Sequence, residues 1–328
     1  MNSFALISNT LPDVTQEKNT SLSTTLDWVG MKGINAPITL MDKSGHTFHD
    51  NASIQVYVNI KDPQAKGIHM SRLYLLVDEF THNHRVTIQG LDDLLVKILH
   101  THVGISDSTQ IIISCNALLQ RAALKSDNTG WKSYPLKVKA VYHDNIFSVE
   151  LGIQVPYSSS CPCSAALSRQ LLQQAFEQDF LGANAIDKST VSEWLLKNGS
   201  LAIPHSQRSY ADLWVKLNEH VNALPIIELI NACESALKTP VQTAVKREDE
   251  QEFARLNGQH QQFCEDAARQ LKIMLDAQPN IQDYWLQVDH QESLHAHDAV
   301  AITTKGLKNG YHAQMLFHCA NDFIAHKL

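Results

Sequence analysis

Hydrophobic and polar positions alternate with period two from about residue 50, where Ile54, Val56, Val58 and Ile60 share one side, as in a strand with one buried face. Leu91, Leu94, Leu95, Ile98 and Leu99 then recur at helical spacing, and Gln110 to Cys115 is a short apolar run suited to a strand. Leu136 to Tyr142 and Phe147 to Val155 alternate again, and His143-Asp144-Asn145 between them predicts an antiparallel hairpin. The hairpin leads into Pro156-Tyr157-Ser158-Ser159-Ser160-Cys161-Pro162-Cys163, where proline and polar residues predict that the strand stops and the backbone becomes extended and exposed.

Beyond that point Leu167, Leu171, Leu172, Ala175 and Phe176 form a helical stripe, followed by Gly, Asn and Ser, so residues 165–200 read as an inserted helical arm. Ala211, Leu213, Val215 and Leu217 alternate as a strand that starts after Pro204-His205. Helical stripes follow through Ile226, Ile230, Cys233 and Leu237, then through Phe263, Ala267, Leu271 and Met274. Trp285 to Val288 and Ala299 to Thr303 read as closing strands. The order of elements predicts an α+β chain in which an antiparallel sheet covered on one face by helices is used twice, over residues 26–164 and 201–328. A flexible N-terminal arm, rich in Ser, Thr and Asn, is expected over residues 1–25.

Composition narrows the function classes. The 328 residues are 44% hydrophobic and 19% charged, and no apolar run approaches the roughly 20 residues that span a bilayer, so no membrane role is expected. The N-terminus lacks the basic start and apolar stretch of a secretory signal, and the six scattered cysteines lack framework spacing, so reduced thiols and a cytoplasmic location are expected. A net charge of −7 argues against nucleic acid as a partner, since phosphate-backbone binding needs a positive face. A small anion held by a few converging Arg or Lys side chains remains compatible.

Cys161 and Cys163 are two apart in a segment expected to be extended, so their thiols are predicted to face one side, one able to bind metal and the other to react. By spacing alone they are equally a pair of reduced loop cysteines. His205 sits in a polar His-Ser-Gln-Arg-Ser segment where an imidazole nitrogen is available to a metal. Lys246-Arg247-Glu248-Asp249-Glu250 reads first as a solvated helix start, and Glu265 as a helical carboxylate. His295-Ala296-His297 would put two imidazoles on one face of a strand, able to bind metal or move protons. The phosphate loop, the dinucleotide glycine turn, His-Glu-x-x-His and Gly-x-Ser-x-Gly are all absent from the sequence.

In order, Ser160-Cys161-Pro162-Cys163-Ser164, His205-Ser206-Gln207-Arg208-Ser209, Lys246 to Glu250, Glu265 and Ser293-Leu294-His295-Ala296-His297 resemble the type IB GTP cyclohydrolase I family. Gly67-Ile68-His69-Met70-Ser71-Arg72 is similar to that family's Gly-x-His-Met-Ser-Arg signature. The resemblance implies a bimodular tunnelling fold with two related halves per subunit, assembled as a homotetramer with active sites at subunit interfaces. It implies conversion of GTP and water to 7,8-dihydroneopterin triphosphate and formate, for folate or deazaguanine synthesis. By resemblance Cys161, His205 and Glu250 hold one divalent metal (Zn, Mn or Fe(II)), Glu265 anchors the purine, and Cys163, His295 and His297 move protons. Arg72, Arg208, Lys246 and Arg247 are the candidates for the triphosphate. Shorter members of the family lack most of residues 164–204, so the arm has to loop out and return. A nitrile reductase on the same fold, using a thiol and a nicotinamide, and a non-catalytic assembly stapled by metal are the competing readings.

Overall fold

In the computed structural model, which describes residues 23–315, an 8-stranded antiparallel sheet runs in sequence order, each strand paired with its neighbours. The strands are β1 (Leu26–Met41), β2 (Thr47–Ile60), β3 (Thr109–Ala122), β4 (Thr129–His143), β5 (Ile146–Ser160), β6 (Ser206–Leu217), β7 (Ile281–His290) and β8 (Ala299–Thr304). Helices α1 (Met70–Asn83) and α2 (Ile88–Thr101) join β2 to β3, while α3 (Pro162–Asp179) and α4 (Lys188–Asn198) join β5 to β6. Helices α5 (Ile226–Leu237), α6 (Arg247–Gln259) and α7 (Cys264–Asp276) join β6 to β7. The α+β class is as expected; the expected arm over residues 1–25 lies almost wholly outside the described residues.

The alternation explains the core. Ile54, Val56, Ile111, Ile113, Val138, Leu151, Ile153, Leu213 and Val215 are fully buried in one cluster with Leu91 and Leu95 of α2, Ile230 and Cys233 of α5 and Leu271 of α7. Burying one such aliphatic side chain contributes about 1.5–3 kcal/mol, so the sheet and its helices form only together. The hairpin between β4 and β5 closes at the pair His143↔Ile146. Asp144 and Asn145 take φ of 51° and 61°, a left-handed conformation that Asp and Asn tolerate and a two-residue hairpin turn requires.

One expectation is corrected at the end of β5. The strand does not stop at Pro156 but continues to Ser160, paired with β6 through Pro156↔Tyr210 and Ser160↔Ser206. Beyond Leu136↔Ile153 the β4–β5 ladder has ended, so the missing N–H of Pro156 costs no bond on that side.

The arm between β5 and β6 carries a small core of its own. Phe176 and Phe180 have ring centroids 4.8 Å apart, Phe176 and Trp194 5.1 Å, and Trp194 Nε1 donates to Asp179 at 2.7 Å. Its two ends are tied together, since Cys161 N donates to His205 O at 3.2 Å and the hydroxyls of Ser160 and Ser206 are 2.6 Å apart.

Helix α6 is fixed differently, by one buried carboxylate. Asp249, fully buried, accepts hydrogen bonds from Lys125 N, Ser126 N, Ser126 Oγ and Lys246 N, which pins the helix start to the turn between β3 and β4. Burial alone would raise its pKa, but these bonds outweigh it and hold the carboxyl well below the ordinary range. The stretch from Lys246 to Glu250 is therefore not wholly a solvated helix start. Among the described residues no helix is long and apolar enough to cross a membrane.

Candidate active site

Cys161 is the N-cap of α3, and Pro162 and Cys163 are the first helical residues. This corrects the expected extended Cys-Pro-Cys segment: proline is favoured at the first helical position because its fixed φ suits a helix and the N–H it lacks would be unpaired there. The two thiols are thus not set on one face by strand alternation. Ser164 N points at Cys161 Sγ at 3.5 Å, and Cys163 is exposed.

His205 lies beside Cys161 across the ladder end, its backbone N donating to Ser164 Oγ at 3.2 Å. Its ring Nδ1 is 3.0 Å from Gln207 Oε1 and 3.6 Å from Glu292 Oε2. The side chains of His205 and Glu292 are only 18% and 14% exposed, so this corner is largely shielded from water. With Nδ1 engaged, Nε2 is the nitrogen left for a ligand.

Helix α7 begins at the same end of the sheet, because Gln262 N donates to Ser160 O at 3.1 Å. Glu265 is exposed in its first turn, and the Cys264 thiol donates to Glu265 Oε2 at 3.2 Å. The residue's own backbone N–H, then the Cys264 thiol, hold the Glu265 carboxyl below the usual range. Burial first, then that carboxylate, push the Cys264 thiol up to about 11.

Buried beneath lie Tyr157 and His290, with Tyr157 OH 2.7 Å from His290 Nε2. Burial lowers the His290 pKa from 6.5 to about 4, so the folded protein keeps this ring neutral while the unfolded chain takes up a proton. Stability from this group is complete above pH 6.5 and is lost as pH falls toward 4, by up to about 3 kcal/mol. Urea titrations across that window are expected to show a shallower pH slope for His290→Gln than for the native protein.

The start of α6 lies at this end too, since β4 begins where β5 finishes. A side chain at Gly130 would meet Thr243 Oγ1 at 2.3 Å, so glycine there lets the segment entering α6 lie against β4. Glu250, Lys246 and Arg247 are exposed on or just before its first turn. Arg208 of β6, also exposed, pairs with Ser158 of β5. Below them a polar cluster is built around Glu234, which accepts from Lys132 Nζ at 2.7 Å and Tyr134 OH at 2.6 Å and lies 3.4 Å from Arg121.

Three expected residues are set differently from the expectation. His295 and His297 are in the loop after β7 and not in a strand as expected; both are exposed, and their rings stack at 4.9 Å. Arg72 is on α1, where its guanidinium donates to Thr101 O at 2.8 Å at the end of α2. Among the described residues no three His, Cys, Asp or Glu side chains converge closely enough to hold a metal. Within one chain Cys161 and His205 are neighbours, and Glu250 does not close a three-ligand cluster with them. The described cysteines Cys115, Cys161, Cys163, Cys233 and Cys264 are free, and Cys319 lies outside the described residues. A cavity of about 830 Å³ is lined by Ile146, Ser148 and Glu150 at the opposite end of β5 and contains none of these groups.

Sequence reasoning did not single out Gln207, Glu292, Cys264, Tyr157 or His290. Gln207 lies in the His205–Ser209 segment, Tyr157 in the stretch where the strand was expected to stop, and His290 just beyond the expected strand Trp285–Val288.

The architecture is that of an α+β chain shared with the uricase of Arthrobacter globiformis, whose structure aligns over 90% of this chain and 99% of that one with a TM-score of 0.52 at 8% identity. That likeness concerns the fold alone. A family model described as type I GTP cyclohydrolase folE2 matches residues 11–301, and the chain belongs to that family of hydrolases. Relatives named GTP cyclohydrolase FolE2 include that of Hydrogenovibrio crunogenus, 47% identical over 303 residues, covering 92% of this chain and 96% of its own. That of Pseudoalteromonas translucida is 45% identical over 304 residues, covering 92% and 100%.

Proposed function

We propose that the chain is a metal-dependent GTP cyclohydrolase I of type IB, converting GTP and water to 7,8-dihydroneopterin triphosphate and formate. The observation that carries this reading is the gathering of Cys161, His205 and Glu265 around the ends of β5 and β6 and the start of α7, in a chain whose relatives are named for that activity. Membership of a hydrolase family favours it over the reductase and over a metal-stapled assembly. The repeated order strand, strand, helices, strand, strand supports two related halves of a tunnelling fold.

The donor chemistry fits a divalent ion. The neighbouring Cys161 and His205, with Glu250 from the start of α6, would supply the sulfur, imidazole and carboxylate donors that suit Zn, Mn or Fe(II). Such an ion, when bound, supplies a water acidic enough to act as hydroxide near neutral pH, for attack on C8 of the purine. Glu265, held ionised at a helix start, accepts from the guanine N1–H and amino group. Cys163, His295 and His297 are exposed and can exchange protons as the imidazole ring opens, formate leaves and the new ring closes. Arg208, Lys246 and Arg247 face solvent at the same end and suit the triphosphate. Arg72 lies on a separate helix pair, and in a homotetramer with sites at subunit interfaces a second subunit would supply it.

Purified protein reconstituted with Mn, Zn or Fe(II) is expected to convert GTP to a product that becomes a fluorescent pterin on oxidation. Intact GTP after reconstitution of a folded sample overturns the reading. Consumption of NADPH with a deazaguanine nitrile replaces it by the reductase.

A further inference from the structure

A polar chain runs through the sheet end behind His205. Gln207 Oε1 lies 3.0 Å from His205 Nδ1, and its amide nitrogen donates to Ser159 Oγ at 2.9 Å. Ser159 Oγ is 2.8 Å from Ser209 Oγ, and Tyr157, the register partner of Ser209, has its OH 2.7 Å from His290 Nε2. Ser159, Ser209 and Tyr157 are fully buried and Gln207 is 9% exposed, so water does not compete for these bonds.

The direction of the chain follows from counting protons. A hydroxyl gives one hydrogen bond and accepts others. Ser159 receives from the Gln207 amide N–H, which leaves its own proton free for Ser209. The amide is thereby oriented with its oxygen toward His205, and an oxygen accepts only from a protonated Nδ1.

We propose that Gln207 is a positioning residue that fixes His205 in the Nδ1–H form and turns its Nε2 lone pair toward the ligand, with Ser159 and Ser209 holding the Gln207 amide in place. The inference rests on His205 being a metal ligand for its purpose, but not for its geometry. A ligating histidine whose other nitrogen is held by a fixed acceptor keeps ring orientation and tautomer, and loss of such a partner costs about 10- to 100-fold in metal affinity.

The test uses metal-free full-length protein with ¹⁵N-labelled histidine, the His205 signals being assigned by their loss in His205→Ala. Native protein is expected to show protonated Nδ1 and bare Nε2 at His205. The opposite tautomer in native protein overturns the proposal whatever the variants do. Gln207→Leu is expected to lose that single tautomer and to bind Zn about 10- to 100-fold more weakly in competition with a chelator. Gln207→Glu keeps the acceptor and is expected to retain both. Glu292, 3.6 Å from the same nitrogen, is the rival acceptor. If Glu292→Gln shifts the tautomer and Gln207→Leu does not, the proposal fails. If His205→Ala binds Zn as tightly as native protein, the metal reading fails instead, and the tautomer result stands apart from it.

Discussion

Cys161→Ala is expected to abolish tight Zn or Mn binding and to lower pterin formation by about 10³-fold or more, since a bound ion contributes several kcal/mol of charge stabilisation to such a step. Cys163→Ala is expected to keep the metal and to lose activity through proton transfer alone. The structure gives the asymmetry a basis: Cys161 sits at the ladder end beside His205 with an N–H of α3 aimed at its sulfur, whereas Cys163, the second residue of α3, is exposed. Metal content after gel filtration, measured beside activity, checks both halves. Equal loss of metal in the two variants overturns the division of labour.

The largest expected effect on stability lies below the site. Glu234→Ala removes the carboxylate that faces Lys132, whose side chain is only 7% exposed, and strands a buried ammonium. Breaking a buried pair by removing one partner costs about 3–5 kcal/mol. Burial lowers the Lys132 pKa, and without Glu234 nothing of comparable strength offsets it, so the folded variant favours neutral lysine while the unfolded chain stays protonated up to about pH 10.5. The deficit is therefore expected to shrink as pH rises toward that value, because the unfolded state binds the extra proton. Urea titrations at pH 7 and pH 9.5 decide it: a deficit that is constant or grows with pH sets aside the buried-lysine account.

Much of the sheet was readable as period-two alternation, from Ile54 to Ile60 and through both arms of the hairpin, because one face of each strand meets helices and the other does not. Strand β1 was not, since Gly30, Gly33 and Pro37 interrupt its pattern and its register shifts twice against β2. Helix α6 has no apolar stripe; only Asp249 is buried on it, and a single carboxylate gripping another turn leaves no periodic trace. The same holds at the site. Motif order pointed to Cys161, His205 and Glu265, whereas the chain from Gln207 to His290 crosses three strands and is assembled by register, which one sequence does not display.

The tied ends of the α3–α4 arm bear on how this chain tolerates change in length. Because entry and exit are hydrogen-bonded neighbours and the arm packs its aromatic rings on themselves, the sheet sees the arm as a closed doorway, whatever stands behind it. Closing a longer loop costs only about 0.6 kcal/mol for each doubling of its length. A lineage could therefore gain, shorten or exchange these helices in a single step while the ladder that aligns Cys161 with His205 stayed in register.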